Sequence, residues 1–297
     1  MRSWPSCPAP APPTSSESAV ADLLLLAVDD RRWLIRQLFG HDGPPQAGEQ
    51  PFVTEAIRLV LDGLVPAAGG RRETGLVIDH RLEPGIGEWA RAHRFQLALP
   101  IALDAAGDDD PGPEELPDLL RRYRPDHVKV LLRHDSVDRA APETMRRRLA
   151  ETCRAAHAAD ANVLVELRLA GTDDGDDPEP AESTAAAMRA LGEAAEVDFW
   201  AVPPQAGAAA YRMLRETADE QGAECLLVTG AGRGIAVLEE RIAQAAGEGF
   251  SGFAVGRAVW WHALQELHRD ATTRSTGLAE ITERFAACVR SYRSAGR

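Results

Sequence analysis

The chain has 297 residues, with 46 acidic against 33 basic side chains and a formal net charge of −13. A surface of that sign repels phosphate backbones and anionic headgroups, so neither nucleic acid nor membrane is expected as a partner. The four cysteines, Cys7, Cys153, Cys225 and Cys288, stand far apart without Cys-x-x-Cys spacing, which argues against a disulfide framework or a zinc module and for a cytoplasmic location.

Residues 1–20 are rich in Pro, Ser and Ala and carry no apolar signal segment. They read as a disordered tail, leaving residues 21–297 as one domain. From there the chain alternates short apolar runs with amphipathic stretches. Strand-type runs fall at 22–30, 75–80, 96–103, 127–134, 162–169, 197–202, 224–229 and 252–259. Helical spacing joins Val53, Ile57, Val60, Leu61 and Leu64, then Met145, Leu149, Cys153 and Ala156, then Ile235, Leu238, Ile242 and Ala245. A last helix carries Leu278, Ile281, Phe285, Cys288 and Tyr292. Strands apolar on both sides and separated by helices indicate a parallel sheet covered on both faces, and eight such units in about 250 residues predict a (β/α)8 TIM barrel.

A doubly wound sheet is the rival, with Gly230-Ala231-Gly232-Arg233-Gly234 as its nucleotide loop. That loop follows the seventh strand rather than the first, and the next strand ends without the acidic residue a dinucleotide site requires. The acidic runs Asp108–Asp110 and Asp173–Asp177 lack the spacing of a calcium loop and read as solvated. No cofactor is expected.

In a barrel the informative polar residues stand at the C-terminal strand ends. These are Asp29, Asp30 and Arg31, then Asp79, His80 and Arg81, then Glu166 and Arg168. Of the basic residues all but Lys129 are arginine. Period-two alternation puts His127, Lys129, Leu131 and Arg133 on one face and Val128, Val130 and Leu132 on the other, so Lys129 is expected inside. There it could pair structurally with Glu166 or Asp29, or act chemically, with Arg31, Asp79 and Arg168 as substrate-binding residues. Gly230, Gly232, Gly256 and Arg257 fall in the two final strand-end loops, where barrels hold phosphate through backbone donors and a guanidinium.

Residues 252–261, reading Gly-Phe-Ala-Val-Gly-Arg-Ala-Val-Trp-Trp, resemble the last strand of the class I aldolase-like domain found at the C-terminus of bacterial 5-dehydro-2-deoxygluconokinases. That domain is related to tagatose-1,6-bisphosphate and sulfofructosephosphate aldolases. Collinear matches run through 27–31, 38–40, 77–79, 125–133, 164–167 and 197–200. The resemblance implies reversible cleavage of a phosphorylated ketose or keto-sugar acid, such as 5-dehydro-2-deoxyphosphogluconate in inositol catabolism, through a Schiff base. The small phosphorylated sugar would be the partner, in a chain that could form a homo-oligomer.

The family places its imine-forming lysine on the sixth strand, where this chain has Ala201. Three readings stand. Lys129 serves as the nucleophile, its pKa lowered by the barrel interior and neighbouring arginines, with Glu166 or Asp29 moving protons. Alternatively the protein is a silent relative that binds a sugar phosphate. In the third, Asp29, Asp79, Glu166 and His80 hold a divalent metal.

Overall fold

Alternation along each strand sends one set of side chains outward and the other inward, and in this chain both sets are largely apolar. The consequence is visible in a computed structural model, which describes residues 22–103, 114–134, 143–169, 178–229 and 234–296. In chain order the elements are β1 (Leu23–Val28), α1 (Arg31–Phe39), α2 (Gln50–Ala68), β2 (Thr74–Ile78), α3 (Ile86–His93), β3 (Gln96–Ala102), α4 (Leu116–Tyr123), β4 (His127–His134), α5 (Glu143–His157), β5 (Asn162–Leu169), α6 (Ala181–Gly192), β6 (Phe199–Val202), α7 (Ala208–Asp219), β7 (Glu224–Thr229), α8 (Ile235–Gly247), β8 (Gly252–Val255), α9 (Arg257–His268) and α10 (Arg274–Ala295).

Every strand pairs in parallel with its sequence neighbour, and β8 returns to β1, closing the expected (β/α)8 barrel. Two apolar layers result. The outer one lies between strands and helices and includes Val128, Val130 and Leu132 from β4 with Leu149 and Cys153 from α5. The inner one fills the barrel with Leu23, Leu25, Val77, Leu164, Phe199 and Leu226, interleaved with the small Ala98, Ala201 and Ala254.

At the seam between β8 and β1, Gly252 has φ 149°, and a Cβ there would lie 2.0 Å from the Leu23 carbonyl oxygen. Only glycine admits that approach. α10 packs on α2 and α8, and the Tyr292 hydroxyl lies 2.9 Å from both Asp22 Oδ1 and the Phe250 carbonyl. Among the described residues no helix is long and apolar enough to cross a membrane.

The strand expected at 252–259 is shorter than the sequence suggests. β8 stops at Val255, and Arg257, Val259, Trp260 and Trp261 belong to α9. A continuous apolar run carries no period to separate a buried strand from the buried face of the helix that follows. The segment 1–20 lies outside the described residues, as do the acidic runs at 108–110 and 173–177.

Candidate active site

The strands deliver their inward polar residues to the C-terminal face, into a cavity of about 870 Å³. β4 contributes Lys129, Leu131 and Arg133, β5 contributes Glu166 and Arg168, and Asp29, Asp79 and Arg257 follow the ends of β1, β2 and β8. Within the described residues, the lining includes seven arginines and Lys129 against five carboxylates. In a chain of net charge −13 that local excess of cations gives the cavity the sign that attracts anions.

At its floor Lys129 Nζ donates to Asp29 Oδ2 and lies 2.5 Å from Glu166 Oε2. Burial alone pushes the ammonium toward its neutral form, but the Asp29 and Glu166 carboxylates outweigh burial and hold its pKa above the ordinary lysine value. The expectation of a lowered Lys129 pKa is therefore corrected. Two anions in contact with the amine favour its charged form more strongly than desolvation disfavours it.

Asp79 is 2% exposed and takes a bidentate contact from Arg81, whose Nη2 lies 2.5 Å away, while Arg31 Nε stands at 3.5 Å. Arg168 Nε lies 3.5 Å from the buried Glu179, which also accepts the Leu169 backbone N–H. Arg257, the first residue of α9, sits with its guanidinium carbon 4.6 Å from the centroid of the Trp33 ring. Gly256 caps that helix and lines the cavity beside it. Gly230 and Gly232 lie outside the described residues.

The donors of the metal reading do not gather. Asp29 and Glu166 are taken by Lys129, Asp79 by arginines, and His80 lies outside the cavity lining with its ring 5.2 Å from Tyr123. Among the described residues no group of three or more His, Cys, Asp or Glu side chains is arranged for a metal ion. This donor set does not fit a divalent cation. Ala201 is fully buried in the inner apolar layer, in register with Glu166, and does not line the cavity.

Two site residues escape sequence reasoning. Glu179 carries no pattern, because its pairing with Arg168 depends on where the chain returns before α6. Trp33 had a weak signal. It follows the N-cap Asp30, whose carboxylate accepts its backbone N–H at 2.9 Å, and the first turn after a barrel strand faces the site.

Among solved structures the chain resembles a candidate fructose-1,6-bisphosphate aldolase of Coccidioides immitis, with TM-score 0.54 and 14% identity over 93% of this chain and 91% of that one. A protein of Corynebacterium glutamicum gives TM-score 0.50 and 15% identity over 88% and 85%. At such identities the likeness is one of fold alone, the closed (β/α)8 barrel. No curated protein matches it by sequence. Over residues 13–296 the chain matches the family described as an uncharacterized protein conserved in bacteria (DUF2090), and it belongs to that family.

Proposed function

We propose that the protein is a carbon–carbon lyase of aldolase type acting on a phosphorylated ketose or keto-sugar acid, with Lys129 working as a charged donor rather than as an imine-forming nucleophile. The observation that carries this reading is the contact of Lys129 Nζ with both Asp29 and Glu166 at the floor of a cavity also lined by Arg257. An amine held as ammonium has no lone pair for a carbonyl carbon. It can instead stabilise a developing oxyanion in a site screened from water.

The step runs as a retro-aldol cleavage. Asp29 or Glu166 accepts the proton of the hydroxyl two carbons from the ketone carbon. The bond between the α carbon and the hydroxyl-bearing carbon breaks, releasing an aldehyde. Its electron pair passes into an enolate whose oxygen is held by the Lys129 N–H. The carboxylic acid then returns the proton to the enolate carbon. Arg257 and the Gly256 backbone take the phosphate, and the same reading assigns Gly230 and Gly232 to it on the sequence argument alone. Arg31 and Arg168 bind the remaining polar groups, with Asp79 contributing through the arginines it holds, Arg31 and Arg81. The finer resemblance, to the domain ending 5-dehydro-2-deoxygluconokinases, makes the keto-sugar acid phosphates the first substrates to assay.

Turnover of several ketose phosphates by wild type, Lys129→Met and Lys129→Arg, with borohydride trapping in parallel, tests the reading. Loss of one oxyanion donor costs on the order of a hundredfold or more in kcat. Lys129→Met is expected to show that loss, Lys129→Arg to retain part of the rate, and trapping to leave the Lys129 peptide unmodified. A reduced adduct on that peptide would establish the imine route instead. Tight binding without turnover of any substrate would mark a silent sugar-phosphate binder.

A further inference from the structure

We propose that Trp33 is a positioning residue for the anion site, holding the Arg257 guanidinium over its indole face so that the N–H edge of the arginine meets a phosphate. The inference rests on the assignment of phosphate to Arg257 made above. It adds a residue on a different element, α1, that neither the family match nor the solved relatives assign.

The geometry supports it at three levels. Arg257 Cζ lies 4.6 Å from the Trp33 ring centroid, within cation–π range, and both residues line the cavity. A guanidinium binds an oxyanion through in-plane N–H donors and meets an aromatic ring through its face. The two contacts use different surfaces of one group, so they coexist.

Trp33 is itself held in place. Its ring meets Trp261 at 4.8 Å and 67° and Trp260 at 6.2 Å and 77°, both edge-to-face. The Trp260 indole N–H donates to the Ala27 carbonyl at the end of β1 at 2.9 Å, which ties the aromatic cluster to the barrel. Asp30 caps α1 by accepting the Trp33 backbone N–H, which fixes where that helix starts.

The platform has an energetic purpose. A free arginine side chain loses rotamer entropy when it clamps an anion. An indole that already restricts the guanidinium removes part of that cost before the ligand arrives. Arg257 is half-buried at the seam between β8 and β1, where α1 and α9 both start, so its orientation depends on α1 as well as on its own helix.

A double-mutant cycle read by calorimetry tests this, using inorganic phosphate and dihydroxyacetone phosphate as probes and the full chain throughout. On the scale of a partly desolvated cation–π contact, Trp33→Leu should weaken phosphate affinity about three- to tenfold. Trp33→Phe, which keeps a ring, should recover part of the loss. In the Arg257→Ala background the same Trp33 substitutions should change affinity less than twofold. The intrinsic tryptophan emission should shift on phosphate addition and lose most of that shift in Trp33→Phe.

If Trp33 substitutions weaken binding equally with and without Arg257, the indole supports the fold and the positioning inference is overturned, while the phosphate assignment stands. If Arg257→Ala leaves phosphate affinity unchanged, the phosphate assignment itself fails. Should Trp33→Leu not fold, the Trp33→Phe arm of the cycle decides the same question through its smaller, background-dependent loss.

Discussion

At the scale of single residues, the site is governed by which charges have partners. Lys129 is the one lysine of the chain, and it is buried between two carboxylates. Breaking a buried ion pair by removing one partner typically costs about 3–5 kcal/mol, because the remaining charge stays desolvated. Lys129→Met should therefore lower the denaturation midpoint at neutral pH. Lys129→Met combined with Glu166→Gln should regain part of the loss, since one of the two stranded anions is gone. Equal destabilisation by the single and double variants would mean that the pairing is energetically idle. On the ligand side, Arg257→Ala would remove the proposed charge-assisted phosphate contact, of a kind worth about 1.5–3 kcal/mol. Titration should show at least about tenfold weaker binding of a phosphorylated ketose and no change for the unphosphorylated sugar.

At the scale of elements, what positions these residues is the closure of β8 on β1. Gly252 sits against the Leu23 backbone, with φ 149° and no room for a Cβ. An alanine there meets both a conformation that side chains avoid and a carbonyl oxygen 2.0 Å from its Cβ. Strain of this kind costs on the order of 1–3 kcal/mol from the backbone alone, before the clash is relieved. Gly252→Ala should lower the melting temperature and loosen the start of α9, weakening phosphate binding although residue 252 lies at the opposite end of β8 from the cavity. A variant as stable as wild type would show that the seam can open without consequence. The boundary between β8 and α9 is hidden in the sequence for a different reason. Val255, Val259 and Trp260 are all buried, so apolar character runs through the junction, and only the turn at Gly256 separates the two elements.

At the scale of the whole molecule, the N-terminal end of the barrel is closed by polar as well as apolar groups. His127 stands near that end, 2% exposed, its Nε2 2.6 Å from Gln96 Oε1 and its ring 5.5 Å from Phe199. Its Nδ1 is buried without a hydrogen-bond partner. Burial depresses its pKa to about 4, against a weaker opposing pull from Asp126 and Asp198. Those carboxylates are themselves engaged, Asp126 by the Leu97 N–H and Asp198 by His157 and the Val163 N–H. A histidine whose folded pKa lies below its unfolded value stabilises the fold fully above the unfolded value. That contribution is lost as pH falls from about 6.5 toward 4, up to ~3 kcal/mol. Lys129, with its pKa raised, adds no pH dependence in that window, because its charged form persists in both states. Thermal unfolding of wild type should thus weaken between pH 7 and pH 4.5 more steeply than that of His127→Gln. Parallel profiles for the two proteins would remove His127 from the account.

The barrel was legible in the sequence because its signal is local and repeated. Eight apolar runs separated by helical periods admit few architectures, and alternation along β4 already set Lys129 apart from Val128, Val130 and Leu132. The same local rules pick out Asp29, Asp79, Glu166, Arg168 and Arg257 as strand-end polar residues, whereas the significance of Ala201 comes only from the family resemblance. Those rules offered Glu166 or Asp29 as a partner for Lys129, but not that both would meet it at once. Asp29 and Lys129 lie a hundred positions apart in the chain, and only closure of the sheet brings Asp29 and Glu166 together on one ammonium. That contact holds the lysine's pKa above its ordinary value rather than below it, which is why we propose a charged donor in place of a nucleophile. The Trp33 platform under Arg257 depends likewise on the seam where the last unit returns to the first. Charge and periodicity are properties of residues and their neighbours in sequence, whereas electrostatic environment is a property of distance in space, and distance was decided by the tertiary fold.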